Sequence, residues 1–219
     1  AMFQLESHID DIVTQLDLDP YEYRQKHSMP VGYYDEFSKN ELYHDSLRQT
    51  MDKARALMDY DRKRELYKNQ TGPVRKGIGL ALFWYNTAVW PISIENSTCR
   101  LLLNEDGSIQ AMIGETEIGQ GFDTVFAQMV ADAAGVKFED VHVFTNQDTD
   151  VTPYGSGAYG SRQTYVSSFA IAQTGRLFKD RVLEQAHHMT RMPVEVLDLV
   201  QGNIVRKSDG RVLMSLEKL

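Results

Sequence analysis

Gly114-Glu115-Thr116-Glu117-Ile118-Gly119-Gln120-Gly121 runs straight into Phe122, Val125, Phe126, Met129, Val130 and Ala133, and this stretch decides how the chain is read. A second stretch has the same form. Thr152-Pro153-Tyr154-Gly155-Ser156-Gly157-Ala158-Tyr159-Gly160-Ser161-Arg162-Gln163-Thr164 is followed by Val166, Ala170 and Leu177 at helical spacing. Each is a glycine-rich loop entering an amphipathic helix. Glycine lets the backbone come close to a ligand, and a helix start offers unpaired N–H donors at the positive end of the dipole. Two such loops in one domain imply one polar, anionic ligand held from two sides.

Strand signals flank both loops. Thr98 to Leu103 alternates, with Cys99, Leu101 and Leu103 on one face, and Asn104-Glu105-Asp106-Gly107 is a hairpin turn. Ile109 to Ile113 is the returning strand and leads directly into the first loop. Gly135 stops the first helix. Val141, Val143 and Thr145 mark a further strand, and a loop over 146–160 leads to a helix from about Ser161 to His188. Short strands follow around 196–199 and 203–206, with a turn at Ser208-Asp209-Gly210. Each loop leaves a strand and enters a helix, so strands lying side by side would put both helix starts on one edge of the sheet.

Residues 2–70 read as helical and charged. Leu5, Ile9, Ile12, Val13 and Leu16 form one stripe, either core or a docking face, and Leu47, Met51, Ala54 and Met58 form another. Asp19-Pro20-Tyr21-Glu22 is a helix start with an Asp cap and proline in the first turn. The run from Asp59 to Gln70 reads as a solvated helix. Gln70-Thr71-Gly72-Pro73 is a turn and a boundary. Gly77 to Trp90 is apolar and aromatic and is expected as a buried strand, with Phe83, Trp84, Tyr85, Trp90 and Phe122 in the core. The fold class is therefore α+β: a mixed β-sheet with helices packed on one side, in the order β-β-α-β-α-β, preceded by a helical segment.

Composition narrows the function. The chain has 219 residues, 42% of them hydrophobic, enough for a core. A net charge of −8 argues against a nucleic-acid surface. No apolar run reaches membrane-spanning length and no signal-peptide pattern is present, so we expect no membrane partner and a cytoplasmic location. Cys99 is the one cysteine, which excludes an internal disulfide and a cysteine-based metal or iron–sulfur site within the chain. Gly155, Gly157 and Gly160 spell a formal GxGxxG with Asp180 downstream. A dinucleotide fingerprint needs those glycines immediately after a strand and the acid at the end of a second one, and neither condition is met.

Taken together, the two loops resemble a known family. Glu117-Ile118-Gly119-Gln120-Gly121 is similar to the GQG segment of the molybdenum-binding subunit of xanthine dehydrogenases and aldehyde oxidases. Thr152-Pro153, then Gly160-Ser161-Arg162-Gln163-Thr164-Tyr165, is similar to that family's second cofactor segment. Phe3-Gln4-Leu5-Glu6-Ser7-His8-Ile9-Asp10, with Leu18-Asp19-Pro20 and Tyr23-Arg24, resembles a stretch just upstream. The resemblance implies a molybdenum-pyranopterin cofactor (molybdopterin, either as such or as a dinucleotide) held by hydrogen bonds. It implies that Gln120 bonds the pterin, that Gly119 and Gly121 let the backbone close in, and that Gly160 sets its N–H beside the metal. Ser161 and Thr164 would give hydroxyls to the pterin or its phosphate. Arg162 would pair with phosphate or with a neighbouring carboxylate.

The same resemblance implies residues 1–72 as a helical linking segment and 73–219 as a cofactor-binding domain cut at both ends relative to the full subunit. The rest of that subunit, with 2Fe-2S and FAD groups on partner domains or subunits, would complete the electron path. The family's reaction is hydroxylation of a purine, another N-heterocycle or an aldehyde with oxygen from water. Its catalytic glutamate belongs to a glycine-rich segment not seen here, so this chain alone is expected to be inactive. Glu115 and Glu117 read as solvated acids before a helix start. A non-catalytic carrier or interaction domain, and a nucleotide-binding module, are the readings of other classes. His187-His188 point apart on a helix and are not expected to share a metal, His142 reads as structural or exposed, and Cys99 as a buried apolar residue.

Overall fold

Asp19 shows how local chemistry sets the first elements: its carboxylate accepts from the N–H groups of Tyr21 and Glu22 at 2.8 and 3.1 Å. That cap, with Pro20 in the first turn, starts the helix Pro20–His27. The structure is a computed structural model that describes residues 1–144 and 148–219. Thr145, expected in a strand, and Asn146 and Gln147, expected at the start of a loop, lie outside the described residues. The chain divides into two compact units, 1–85 and 86–219.

The first unit contains α1 (Met2–Gln15), α2 (Pro20–His27), the two-residue strands β1 (Tyr34–Asp35) and β2 (Asn40–Glu41), α3 (Ser46–Met58) and α4 (Tyr60–Leu66). Its small core is Tyr21, Met51 and Tyr60, against which Ile78, Leu80 and Leu82 pack. Within the first apolar stripe only Val13 is buried, whereas Leu5 and Leu16 are exposed. The helix instead turns Glu6 inward, where it binds the buried Arg24 at 2.8 Å. Asp10 completes that pairing at 2.8 Å. Tyr60 is buried too, so the charged run begins with a core residue rather than a fully solvated face.

The strand expected over 77–90 does not form. A strand needs a neighbour for its backbone donors. Here the Leu82 N–H goes instead to the Glu6 carboxylate at 2.8 Å. Phe83, Trp84, Tyr85 and Trp90 are exposed, and Phe122 is the one of the five expected aromatics that is buried.

The second unit contains β3 (Cys99–Leu103), β4 (Ile109–Ile113), α5 (Phe122–Ala134), β5 (Val141–Phe144), α6 (Arg162–Thr190), β6 (Leu197–Val200), β7 (Asn203–Arg206) and β8 (Val212–Ser215). β4 is the central strand of a mixed sheet. It pairs antiparallel with β3, Cys99 opposite Ile113, and parallel with β5, Ile109 opposite Val141. Alternation along β4 sends Ile109, Ala111 and Ile113 into a core shared with Phe126, Val130 and Ile171. α5 and α6 pack on each other and on this sheet. Gly135, in the left-handed conformation, closes α5 as its sequence position requires. Asp180 sits inside α6, which removes the dinucleotide fingerprint.

The last strands form a sheet of their own, β6-β7-β8, antiparallel throughout. The expected order continued a single sheet. The reason for the difference is α6, whose 29 residues carry the chain about 43 Å at 1.5 Å per residue. The strands that follow emerge at the far end of that helix and pack there. Ser208-Asp209-Gly210 lies between β7 and β8, and after β8 the chain ends in a single turn with Leu216 buried. His142 is exposed on β5. No helix among the described residues is long and apolar enough to cross a membrane.

Candidate functional site

Because β4 and β5 are parallel neighbours, the two glycine-rich loops leave the same edge of the sheet. They touch through backbone. A Cβ built on Gly114 would lie 2.2 Å from the Gly155 nitrogen and 2.4 Å from the Pro153 oxygen, so only glycine permits this contact. Beyond it the loops meet again through side chains. The Gln120 amide donates to Gln163 Oε1 at 2.5 Å and to the Thr116 carbonyl at 3.0 Å, and the Gln163 amide donates to the same carbonyl at 3.0 Å. Gln120 Oε1 accepts from the Ile118 N–H at 2.7 Å. The stretches 119–121 and 160–164 therefore converge.

The other expected residues sort by exposure. Gly119 and Gly121 have φ of +100° and +85°, and a Cβ on either would meet nothing within 4 Å. The flank of the backbone is open here, while the two N–H groups are held by the Glu117 carboxylate. Ser161 and Thr164 are exposed at the start of α6, where the Ser161 side chain makes no cap hydrogen bond. Gly160 is buried, and its carbonyl accepts from the Ala88 N–H at 2.6 Å.

Arg162 is fully buried. Its guanidinium donates to Glu95 at 2.7 Å, to Glu115 at 3.2 Å, and to the carbonyls of Gly157 and Asn96 at 3.1 and 2.5 Å. Of the two pairings left open by the sequence, phosphate or carboxylate, the structure selects the carboxylates. The Arg162 side chain is closed to solvent. Burial pushes its pKa down, but the two carboxylates outweigh that and hold it above the ordinary arginine value.

Glu115 is the clearest correction. Expected as a solvated acid, it is fully buried between Arg162 and the Ser97 hydroxyl. The signal was present in the sequence: Glu115 continues the inward parity of Ile109, Ala111 and Ile113. Glu117 has a different task. Its carboxylate accepts from the N–H groups of Gly119, Gly121 and Asp123 at 2.6 to 3.2 Å, so it caps α5 from within the loop. Desolvation pushes the Glu117 carboxyl up, but those donors outweigh it and hold it below the usual carboxylate range. Asp123 beside it is pushed up by burial and by the Glu117 charge, and its Oδ1 is buried without a hydrogen-bond partner. Sequence reasoning did not single out Gln163 or Glu95.

This arrangement sets a neutral amide, an unobstructed glycine flank, two exposed hydroxyls and a helix start on one edge. Such a set suits a heteroaromatic ring system carrying a phosphate better than a bare metal ion. Comparison with known proteins points the same way. Residues 53–219 match the family model described as the molybdopterin cofactor-binding domain. The chain belongs to that family. Members similar to it include the xanthine dehydrogenase molybdenum-binding subunit of Escherichia coli O157:H7, 39% identical over all of this chain and 29% of the relative. The carbon monoxide dehydrogenase large chain of Hydrogenophaga pseudoflava is 28% identical over 90% of this chain and 26% of the relative. Among solved structures, quinoline 2-oxidoreductase from Pseudomonas putida 86 superposes with a TM-score of 0.61 at 19% identity, over 99% of this chain and 29% of that one. That last likeness speaks to fold alone. The chain spans less than a third of the length of these relatives.

Proposed function

We propose that residues 119–121 and 160–164 hold the organic part of a molybdenum-pyranopterin cofactor, in a whole protein that is a xanthine dehydrogenase-like hydroxylase. The observation that carries this reading is the meeting of Gln120 and Gln163 across the two loops. The bound cofactor would supply oxidative hydroxylation of an electron-poor carbon with oxygen from water. This chain's residues bind and orient it. Gln120 exchanges its donors from Thr116 and Gln163 to the pterin, offering donor and acceptor without charge. Gly119 and Gly121 leave room for ring atoms against the backbone. Ser161, Thr164 and the first N–H groups of α6 take the phosphate, where the helix dipole favours an anion.

Residues 73–219 act in this reading as the cofactor-binding domain and 1–72 as a helical linker to the rest of the subunit. The substrate is a purine or a similar N-heterocycle, by likeness to the Escherichia coli relative. Aldehydes or other N-heterocycles are the alternatives within the same superfamily. Electrons leave through 2Fe-2S and FAD groups on partner domains or subunits, and the enzyme works in the cytoplasm. The 219-residue chain alone does not turn over.

The test is made on the full-length protein. Molybdenum and pterin are measured per polypeptide, together with xanthine-dependent dye reduction. Near-stoichiometric loading that falls sharply in Gln120→Ala supports the reading. Full loading with unchanged activity in Gln120→Ala contradicts it.

A further inference from the structure

Arg162 is the largest fully buried side chain among the described residues. Its partners are not scattered. Glu95 and Asn96 precede β3, Glu115 lies in the first glycine loop and Gly157 in the second, so one guanidinium joins three segments that meet at the site. The joints continue outward. Glu95 uses its other oxygen to accept the Val89 N–H at 2.5 Å, and the adjacent Ala88 N–H donates to the Gly160 carbonyl at 2.6 Å. Ser97 links the Glu115 carboxylate to Ser167 on α6, at 3.1 and 2.9 Å. The peptide before Ser161 is thus fixed through a closed circuit that starts and ends at Arg162.

A buried ion pair is weak evidence of stability, because apolar residues of similar volume often serve as well. What a planar, forked cation adds is direction: several acceptors held at set angles. We propose that Arg162 is a positioning residue, which with Glu95 and Glu115 sets the Gly160–Thr164 turn at the place the cofactor requires. This rests on the cofactor reading given above. Arg162 acts only through the turn that it carries and makes no contact with the ligand itself.

The experiment compares Arg162→Lys, Glu95→Gln and Gln120→Ala in the full-length protein. Folding is followed by circular dichroism, loading by molybdenum and pterin content, and geometry by the paramagnetic resonance signature of the metal in molecules that do load. Arg162→Lys keeps the charge but loses the fork. It is expected to fold, to lose loading by about tenfold, as outer partners of a metal site do, and to show an altered signature. Glu95→Gln leaves Arg162 paired with Glu115, so it tests the same idea even where the lysine variant folds poorly. It should load less well than the parent and shift the signature the same way. A parental signature and loading in Glu95→Gln, or in folded Arg162→Lys, overturns the positioning role while Gln120→Ala still fails to load. Parental loading in all three overturns the cofactor reading itself.

Discussion

The two loop–helix junctions look alike in sequence and differ in what fills them. At the start of α5, the Glu117 carboxylate already accepts from Gly119, Gly121 and Asp123. At the start of α6, Ser161 makes no cap hydrogen bond with its side chain, and Ser161 and Thr164 stand exposed. A glycine-rich loop before a helix is therefore not by itself an anion site. The chain's own acid takes the first junction, and under the proposed function the second would be the one that receives the phosphate. The first junction contributes the neutral amide of Gln120 instead. Under the proposed function, one loop would recognise the ring system and the other the phosphate.

The largest expected effect comes from the buried tie between the junctions. Glu115→Ala leaves the Arg162 guanidinium short of a partner in a site closed to water. Because Glu95 still balances the charge, it should lower unfolding free energy by about 2–3 kcal/mol, read by denaturant titration. A loss below about 1 kcal/mol would show that the two loops are not held by this pair. Gly114→Ala comes next. Its Cβ would strike the Gly155 backbone, and overpacking of this kind costs about 1–3 kcal/mol. The contrasting Gly119→Ala has open space but a φ of +100°, so backbone strain of about 1 kcal/mol is the whole effect. If the two glycine variants cost the same, close contact between the loops is not what Gly114 provides.

A smaller effect depends on pH. Because the donors around Glu117 hold its folded-state pKa below the ordinary value, its contribution is complete above that ordinary value. It is lost as pH falls through the lowered folded-state value. Acidification should loosen the first junction before the second, visible as faster amide exchange at Gly119 and Gly121, and Glu117→Gln should remove this pH dependence. Equal exchange at both junctions would contradict the assigned cap. The smallest effect concerns Cys99. Burial first, and then the Glu115 charge, push its thiol to about 12 despite a hydrogen bond from Thr174. Native protein should resist alkylation at pH 8 and react on unfolding.

Much of this was legible in sequence because it is local. The Asp19 cap, the Asn104–Gly107 hairpin, the Gly135 stop and the paired loops each follow from a few adjacent residues. What sequence hid depends on partners distant along the chain. Phe83, Trp84 and Trp90 look like core until one asks which strand would pair with them, and none among the described residues does. Arg162 suits phosphate or a carboxylate equally until Glu95 and Glu115 are brought beside it. Glu115 could have been found, since it continues the inward parity of β4 just past the strand's end. Gln163 carries no such signal: its role exists only once Gln120 stands opposite.

The most direct test is an experimental structure of the full-length protein with its cofactor bound. The account predicts the pterin within hydrogen-bond distance of Gln120, its phosphate at the start of α6, and Arg162 still buried between Glu95 and Glu115. A pterin bound elsewhere, with the Gln120–Gln163 pair intact and the start of α6 bare, would contradict it.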